Sequence, residues 1–376
     1  MKKAKNVFFV DPMSFNNLSQ YDYNLLSHIK SDTVIMFFGN MLYDRPSLPN
    51  VTFKPIFCYN KYSNAALKAV SYLWSMVRLC IAVVLLRPQA MHIEWVKMPA
   101  FDLLFLRLFR LMGVRVYFTA HNVLPHEDIE SRTTSVFWNY YRALSGIIVH
   151  SAITAKEIRE MFGIDSQKLH VIPHGLMAID NNSEQMENLL KDYRTKYAGK
   201  MVLTCIGNQS YYKGIDLVKR LWQEPDISQN PVLHLIIAGK KSSEVDFNSI
   251  EHLKNVTIID RYLNNDEYMA LMRLSDILLL PYLKISQSGV LMSAIHEHVP
   301  FMVSHVGALP EPLQLADVGW DIGEPVYENL RQTVSQVVSH PETISEKRNN
   351  AQGWQTLAKH YSWEEAGQLT GHLYLQ

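Results

Sequence analysis

The chain has 376 residues, 48% of them hydrophobic and 19% charged, which is enough to bury two hydrophobic cores. Its 36 basic and 36 acidic side chains leave no net charge, so charge gives no reason to expect a nucleic-acid partner. Cys58, Cys80 and Cys205 are too few and too widely spaced for a disulfide framework or a zinc site, which favours a reducing compartment.

The first half of the chain alternates short apolar runs with segments of helical period. Strands are predicted over 7–10, 34–38, 51–53, 91–94, 114–119, 147–150 and 169–172. Helices are predicted over 64–86 and over 102–112, the second opened by Asp102 as N-cap and closed by Gly113. Because alternating strands and helices favour a parallel sheet, this half predicts a doubly wound α/β domain.

A polar segment separates this alternation of strands and helices from a second alternation of the same kind. Strands are predicted over 201–206, 234–238, 256–259, 277–280, 301–304 and 319–322. We therefore divide the chain into an N-terminal domain (1–178), a linker (179–199), a C-terminal domain (200–355) and a final helical segment (356–376). In open α/β sheets ligands bind beyond the carboxyl ends of the strands, so the site is expected in the loops that follow them.

Two apolar stretches of the first half carry basic residues. The stretch 65–86 is interrupted by Lys68 and Arg78, and the apolar part after them is shorter than the about 20 residues of a membrane span, which predicts a buried or interfacial helix. Arg107 and Arg110 lie on the next helix, and a basic amphipathic helix can lie among anionic lipid headgroups. A core helix with a solvated charged stripe is the favoured alternative.

The N-terminus passes directly into an apolar strand rather than into the core of a signal peptide. The protein is therefore expected in the cytoplasm, with a peripheral contact at the inner membrane surface as a further hypothesis.

Two loops of the second half are suited to binding phosphate. In 286–291 a buried strand gives way to a short polar loop and a helix begins at once, and the amides and dipole of a helix N-terminus attract anions. In 207–214, Gly207 lets a ligand approach the backbone and Lys213 offers a charge to a diphosphate. An ordinary turn with a solvated lysine is the alternative for the second loop. Neither loop has a Walker or dinucleotide-binding spacing.

In the first half, the strand predicted over 114–119 ends in a polar loop that contains His121, His126 and Glu127. A histidine there could donate to a sugar hydroxyl or a phosphate oxygen, and Glu127 could accept from hydroxyls or act as a base. The alternatives are a buried structural histidine and a solvated turn, and the spacing matches no standard zinc site. The earlier segment 11–21 is polar and long enough to line a cleft, or is a surface loop.

Taken in order, these segments resemble the GT-B-fold glycosyltransferases, and within them the retaining transferases of glycosyltransferase family 4. The matching segments are 121–127, 171–175, 207 with 212–216, 236–239, 275–282, 288–291 and 306–311. The resemblance implies two Rossmann-like domains that face each other across a cleft. It also implies a nucleotide-sugar donor bound mostly by the C-terminal domain, a last helix (363–373) that crosses back to the first domain, and an enzyme that needs neither metal nor cofactor.

Carried over by position, the resemblance implies Lys213 at the donor diphosphate and His121 at the transferred sugar as the catalytic pair. The implied donor-binding residues are Gly207, Asn208, Lys213, Gly214, Arg261, Tyr282, Gln287, Ser288, Gly289, Val290 and Leu291. The acceptor-side residues are Ser14, His126 and Glu127.

The chain departs from the family at two glutamates separated by seven residues, the first of which contacts the donor sugar and the second the ribose. Ile285 and Ser293 occupy these positions. Glu297 lies one helical turn after Ser293, about 6 Å further along the axis.

The predicted function is transfer of a sugar from a nucleoside diphosphate sugar to a glycan or polyprenyl-linked saccharide, with retention of configuration, in surface polysaccharide assembly. Two alternatives remain open. One is a non-hydrolysing sugar-nucleotide 2-epimerase of the same fold. The other is a catalytically silent partner in a polysaccharide-assembly complex, which the missing glutamates suggest.

Overall fold

The computed structural model describes residues 5–30, 33–123, 131–176 and 183–376. It divides into two compact units. The N-terminal unit comprises Met1–Gly175 and Tyr361–Gln376, and the C-terminal unit comprises Leu176–His360.

The N-terminal unit is built on a parallel sheet of seven strands in the order β3-β2-β1-β4-β5-β6-β7. The strands are β1 (Lys5–Asp11), β2 (Thr33–Asn40), β3 (Val51–Phe57), β4 (Ala90–Ile93), β5 (Arg115–Thr119), β6 (Gly146–Val149) and β7 (Leu169–Val171). Every strand predicted for this half is confirmed within a few residues. The strand order reverses between β1 and β4, so the loops after these strands and after β5 open the crevice in which such sheets bind ligands.

Both faces of this sheet are covered by helices. They are α1 (Asn17–His28), α2 (Ala65–Leu86), α3 (Pro99–Leu111), α4 (Ser131–Ala143), α5 (Ala152–Phe162) and the last helix of the chain, α15 (Trp363–Leu375). Alternate residues of β1 enter opposite cores: Phe8 and Val10 pack with α2 to α5, whereas Val7 and Phe9 pack with α1 and α15. Because both faces are buried, the strands read as continuous apolar runs.

Three local expectations for this unit are wrong. The polar segment 11–21 is not one loop, since α1 begins at Asn17. Asp102 does not cap α3, which begins at Pro99, and its carboxylate accepts from the N–H of Met98 at 3.0 Å. The stretch 65–86 is not too short for a span, because α2 is a single helix of 22 residues.

The C-terminal unit has a parallel sheet of six strands in the order β10-β9-β8-β11-β12-β13. The strands are β8 (Met201–Ile206), β9 (Leu233–Ala238), β10 (Val256–Ile259), β11 (Ile277–Leu280), β12 (Phe301–Ser304) and β13 (Gly319–Gly323). All six predicted strands are confirmed. The order reverses between β8 and β11, which places the two predicted phosphate loops side by side at the carboxyl edge of the sheet.

The helices of this unit are α6 (Glu184–Lys196), α7 (Ile215–Trp222), α8 (Pro225–Ser228), α9 (Asn265–Leu274), α10 (Gly289–His296), α11 (Glu311–Leu315), α12 (Tyr327–Ser339), α13 (Glu342–Arg348) and α14 (Ala351–His360). The core between the sheet and α7 and α12 contains Trp222 and Leu330, both fully buried. Helix α6, which lies within the segment assigned to the linker, packs on α9 through Met186 and Leu190.

Candidate active site

Gly207 begins the loop that joins β8 to α7. Its φ of 94° favours glycine. A Cβ atom on Gly207 would lie 3.3 Å from Nζ of Lys213 and 3.4 Å from Cγ2 of Val290. The structure thus brings together three residues of the predicted donor set, from two loops, at the carboxyl end of β8.

The side chain of Gln209, which sequence reasoning missed, holds this loop in place. It is buried, and its Nε2 donates to the carbonyl oxygen of Gly207 at 2.7 Å and, at longer range, to those of Cys205 and Ala238. The available signal was a glutamine two residues after Gly207, which itself directly follows a buried strand. Asn208, in contrast, is exposed.

The second loop leads into α10, and Ser288 is the N-cap of this helix. Its Oγ accepts from the N–H of Leu291 at 3.3 Å. The first amides of a helix have no intrahelical acceptor, so those of Gly289 and Val290 remain for a ligand. Gly289 is exposed, and a Cβ there would meet no atom within 4 Å. The predicted anion cradle is therefore open, while Gln287 lies half-buried beside it.

Lys213 points its ammonium group at this cradle. Nζ lies 5.6 Å from the ring centroid of Tyr282, a buried residue whose hydroxyl is hydrogen-bonded to Ser288. Burial lowers the pKa of Lys213 from 10.5 to about 8. Across the described ranges no carboxylate forms an ion pair with Lys213. A desolvated cation without a counter-ion favours an anionic ligand.

Two other members of the predicted donor set have structural partners. Gly214 has a φ of 69°, and a Cβ on it would overlap the carbonyl oxygen of Pro281. Arg261 follows β10 and bonds both carboxylate oxygens of Glu267, one of them at 2.7 Å. The donor role of Arg261 stays a prediction, and it requires that the guanidinium leave this pair.

Neither of the two positions at which the family has a glutamate holds a carboxylate in this chain. Ile285 lies in the loop before α10, where its carbonyl oxygen packs against Gly307. Ser293 is buried, and its Oγ donates to the carbonyl of Gly289 at 3.1 Å. Glu297 caps the C-terminus of α10 and accepts from Nε of Arg273 at 2.7 Å. Its carboxylate is turned to this arginine, so the structure gives no support to Glu297 as a replacement.

In the N-terminal unit, His121 lies just beyond β5 with both ring nitrogens engaged. Nε2 lies 2.9 Å from Oε2 of Glu94, and Nδ1 lies 3.2 Å from Nε2 of His150. Nδ1 of His150 in turn lies 2.9 Å from the carbonyl oxygen of Ile172. A carbonyl oxygen only accepts, so Nδ1 of His150 carries a proton.

This chain of contacts holds the ring of His121 between two groups. Burial and the neighbouring His121 hold the pKa of His150 well below 6.5, so His150 is neutral and its Nε2 carries a lone pair. Nδ1 of His121 faces this nitrogen, and Nε2 of His121 faces the carboxylate of Glu94. Neither ring nitrogen of His121 is therefore without a partner in the protein.

Glu94, fully buried just beyond β4, is the carboxylate that faces His121, and sequence reasoning missed it. Besides His121 it contacts Nε2 of His92 at 3.1 Å and the hydroxyl of Thr119 at 3.2 Å. Burial alone would raise the pKa of Glu94, but His92, His121 and Thr119 outweigh burial and hold it below its ordinary value. A glutamate that ends a buried strand at the switch point of the sheet was the available signal.

Aromatic rings restrain His121 on two sides. The ring of Trp95 stacks on it with centroids 4.6 Å apart and planes within 5°. Tyr21 of α1 meets it edge-on at 4.9 Å, and the same tyrosine contacts His174 at 5.0 Å. His121 is therefore held in one orientation with part of its ring accessible.

Of the three predicted acceptor-side residues, the structure describes Ser14. Ser14 is fully buried, and its Oγ accepts from the N–H of Asn40 at 2.7 Å, so its side chain serves the fold and does not face an acceptor. His126 and Glu127 lie outside the described residues. Among the residues that are described, no group of three histidine, cysteine or acidic side chains is arranged to hold a metal ion.

Two family models match the chain, one in each half. Residues 33–177 match Glycosyltransferase Family 4, and residues 200–338 match Glycosyl transferases group 1. The chain belongs to the GT-B glycosyltransferases. The predicted family, fold and enzyme class are thereby confirmed.

Solved structures match this glycosyltransferase over its whole length. The match to sucrose-phosphate synthase from Thermosynechococcus elongatus has a TM-score of 0.70 and 14% sequence identity, and it covers 99% of this chain and 98% of that protein. The match to a glycosyltransferase from Rickettsia africae has a TM-score of 0.72 and 14% identity, and it covers 100% of this chain and 98% of that protein. The match to Anabaena HepE in complex with UDP and glucose has a TM-score of 0.69 and 12% identity, and it covers 98% of this chain and 99% of that protein. No curated protein sequence matches the chain.

Proposed function

We propose that this glycosyltransferase transfers a sugar from a nucleoside diphosphate sugar to a hydroxyl group of a glycan or polyprenyl-linked saccharide, with retention of configuration. The observation that carries the proposal is the partly buried ammonium of Lys213 beside Gly207, together with the open N-terminus of α10. A diphosphate supplies the two negative charges that this cradle lacks. The complexes of Anabaena HepE with UDP and with UDP-glucose support a nucleotide-sugar donor.

In the proposed reaction the bond between the anomeric carbon and the diphosphate oxygen breaks. The bond to the acceptor oxygen forms on the same face of the sugar, and the acceptor proton passes to the departing diphosphate. Lys213 and the amides of Gly289 and Val290 stabilise the charge that develops on the diphosphate. No carboxylate nucleophile is invoked, in keeping with Ile285 at the family's first glutamate position.

His121 acts in this scheme as a positioning residue and not as a base. Both of its ring nitrogens already face protein groups, Glu94 and His150, so neither is directed at an acceptor hydroxyl. The accessible edge of its ring orients the sugar.

We propose a cytoplasmic enzyme of surface polysaccharide assembly, working without a metal or other cofactor. This step rests on the family resemblance alone. Its support is the set of relatives and not a contact within the chain.

A thermal-shift screen over nucleoside diphosphates and their sugars tests the donor proposal. We expect nucleotides of one nucleobase to stabilise the wild type and the control Lys359→Ala, which changes an exposed residue of α14, but not Lys213→Ala. Equal stabilisation of wild type and Lys213→Ala would remove Lys213 from the phosphate site.

Product analysis then separates the alternatives. Release of nucleoside diphosphate that depends on an added saccharide acceptor supports transfer. An epimer formed from UDP-GlcNAc alone would identify an epimerase. Donor-induced stabilisation without turnover on any acceptor would identify a silent partner.

A further inference from the structure

Helix α2 exposes a continuous apolar stripe that the proposed function does not use. Residues spaced at three and four along its outer side are exposed, among them Trp74 at 62% and Leu85 at 73%. The stripe consists of Leu67, Val70, Trp74, Val77, Ile81, Val84 and Leu85. Contiguous apolar surface of this kind marks an interaction site.

The opposite side of α2 belongs to the core of the N-terminal unit. Leu79 and Val83 are buried there, Oγ of Ser75 donates to the carbonyl of Ile56 at 2.7 Å, and the hydroxyl of Tyr72 donates to Asp102 at 2.8 Å. By length and composition alone α2 could cross a membrane. Crossing would strip these contacts and leave the buried Asp102 without Tyr72, so the structure favours a helix that lies along a surface.

Helix α3 extends the exposed apolar surface. It packs beside α2 on the same face of the sheet, where Leu106 and Phe109 share the core with Leu79. Its outer side exposes Leu104 at 60% and Leu111 at 85%. Two neighbouring helices thus present apolar side chains outward.

The charged side chains of α2 and α3 indicate the chemistry of the partner that this surface would bind. Lys68, Arg78 and Arg107 are exposed along these helices, whereas Arg110 donates to Oγ of Ser145. In α2 and α3, all of whose residues are described, the one acidic side chain is Asp102, and it is buried. An apolar surface with a basic border and no exposed negative charge is complementary to anionic lipid.

A groove along α2 continues this pattern. It has a volume of about 410 Å³ and lies between the second half of α2 and strands β2 and β3. Its lining combines Pro55, Ile81 and Leu85 with the cationic side chains of Lys54 and Arg78. Such a groove fits a lipid whose phosphate meets the cations and whose acyl chain meets the apolar wall.

We infer that the outer faces of α2 and α3 dock this enzyme on an anionic phospholipid membrane, with α2 in the interface plane and a lipid headgroup at Lys54 and Arg78. The inference goes beyond the proposed function, since it needs no donor or acceptor. Trp74, exposed on the outer face of α2, is of the residue type that membrane proteins place between the headgroups and the acyl chains.

Flotation with lipid vesicles tests the inference, using the full chain without nucleotide. Wild type is expected to float with an equimolar mixture of phosphatidylcholine and phosphatidylglycerol, to bind phosphatidylcholine alone weakly, and to dissociate as salt is raised. The variant Val70→Glu with Leu85→Glu changes two exposed positions and should weaken binding about tenfold or more. Lys54→Gln with Arg78→Gln should remove the preference for the anionic lipid.

The matched control is Met161→Glu with Leu315→Glu, which places the same charges on exposed apolar positions of α5 and α11. Equal loss of binding in this control would show a general charge effect and overturn the inference. So would a wild type that ignores anionic vesicles, or one that sediments as a dimer which Val70→Glu with Leu85→Glu dissociates. Because donor binding is measured separately, none of these outcomes bears on the transfer reaction.

Discussion

Nε2 of His121 lies 2.9 Å from Oε2 of Glu94, in a region of the N-terminal unit where the glutamate is fully buried and 14% of the histidine side chain is exposed. The contact joins the end of β4 to the end of β5. Because removing one residue leaves the buried polar group of the other without this partner, the two residues act as one unit.

Glu94→Gln keeps the shape of the side chain but replaces the carboxylate that faces His121 with an amide. The ring of His121 is then held less firmly, and the transfer rate should fall by about tenfold to a hundredfold because the sugar is less well oriented. Initial rates over a range of donor concentrations measure the effect, which should appear in kcat more than in KM. Glu160→Gln, at an exposed position of α5, is the control.

A structural role for Glu94 predicts a different pattern. The free energy of unfolding would then fall, while kcat of the folded protein would stay unchanged. Urea denaturation of wild type and Glu94→Gln, measured beside the kinetics, distinguishes the two roles.

The strands could be read from the sequence because each is buried on both faces and therefore appears as an apolar run. Helix α1 could not. Its segment contains Asn17, Ser19 and Asn24, types that favour turns over helices, and its position is determined by packing of Leu25 and Leu26 beneath the sheet. Asp102 was misplaced because aspartate suits both the N-cap and the first helical turn, and Pro99 was the better signal.

The two loops of the predicted donor cradle could also be placed from the sequence, because their residues follow each other along the chain. The cluster of side chains around Glu94 could not be placed in this way. Its partner His121 lies 27 residues away along the chain, and Tyr374, which contacts His92, lies 282 residues from His92. No local pattern records such contacts, since they arise only when the sheet places the strand ends together.

Donor affinity should depend on pH through Lys213. The lysine has a pKa of about 8, so it is charged below this pH and loses its charge as the pH rises through it. Affinity of the free enzyme for a nucleoside diphosphate should therefore fall above about pH 8, by up to about tenfold per pH unit. Lys213→Arg keeps its charge throughout and should bind with a weaker but flat response. Calorimetric titration below and above this pH provides the comparison. The same decline in both proteins would assign the titration to another group.

Gly207→Ala should weaken donor binding more than its effect on stability predicts. The new methyl group enters the space between Lys213 and Val290, where a phosphate is expected. Gly199→Ala is the matched control, because Gly199 has a φ of 73° but no atom within 4 Å of a Cβ. Both variants should lose about 1 kcal/mol or more of stability from the positive φ. An about tenfold loss of affinity is expected for Gly207→Ala alone, and equal affinities would place the phosphate elsewhere.

Acid should destabilise the N-terminal unit through its neutral histidines. Burial lowers the pKa of His174 to about 4, from 6.5. Between these values the unfolded chain binds a proton that the folded chain does not, so the free energy of unfolding falls as the pH falls, by up to about 1.4 kcal/mol per pH unit. His174→Asn keeps a donor for the carbonyl of Gly175 and should flatten this slope. Urea midpoints followed by tryptophan emission measure it, with exposed His340→Asn as the control, and an unchanged slope in His174→Asn would exclude His174.

Glu297→Gln separates a structural from a donor-binding role for the carboxylate nearest to the missing family glutamates. Its Oε2 accepts from Nε of Arg273 at 2.7 Å, and its side chain is 11% exposed. We expect a loss of about 1 to 3 kcal/mol of unfolding free energy, because a charge-assisted hydrogen bond is weakened in a mostly buried place. Donor affinity should stay within about twofold, since the carboxylate is directed at Arg273 and not at the cradle. Arg273→Gln should reproduce the stability loss from the other side of the pair. A large loss of donor affinity in Glu297→Gln with unchanged stability would instead make Glu297 a ligand of the nucleotide, and would require the Arg273 pair to open when the donor binds.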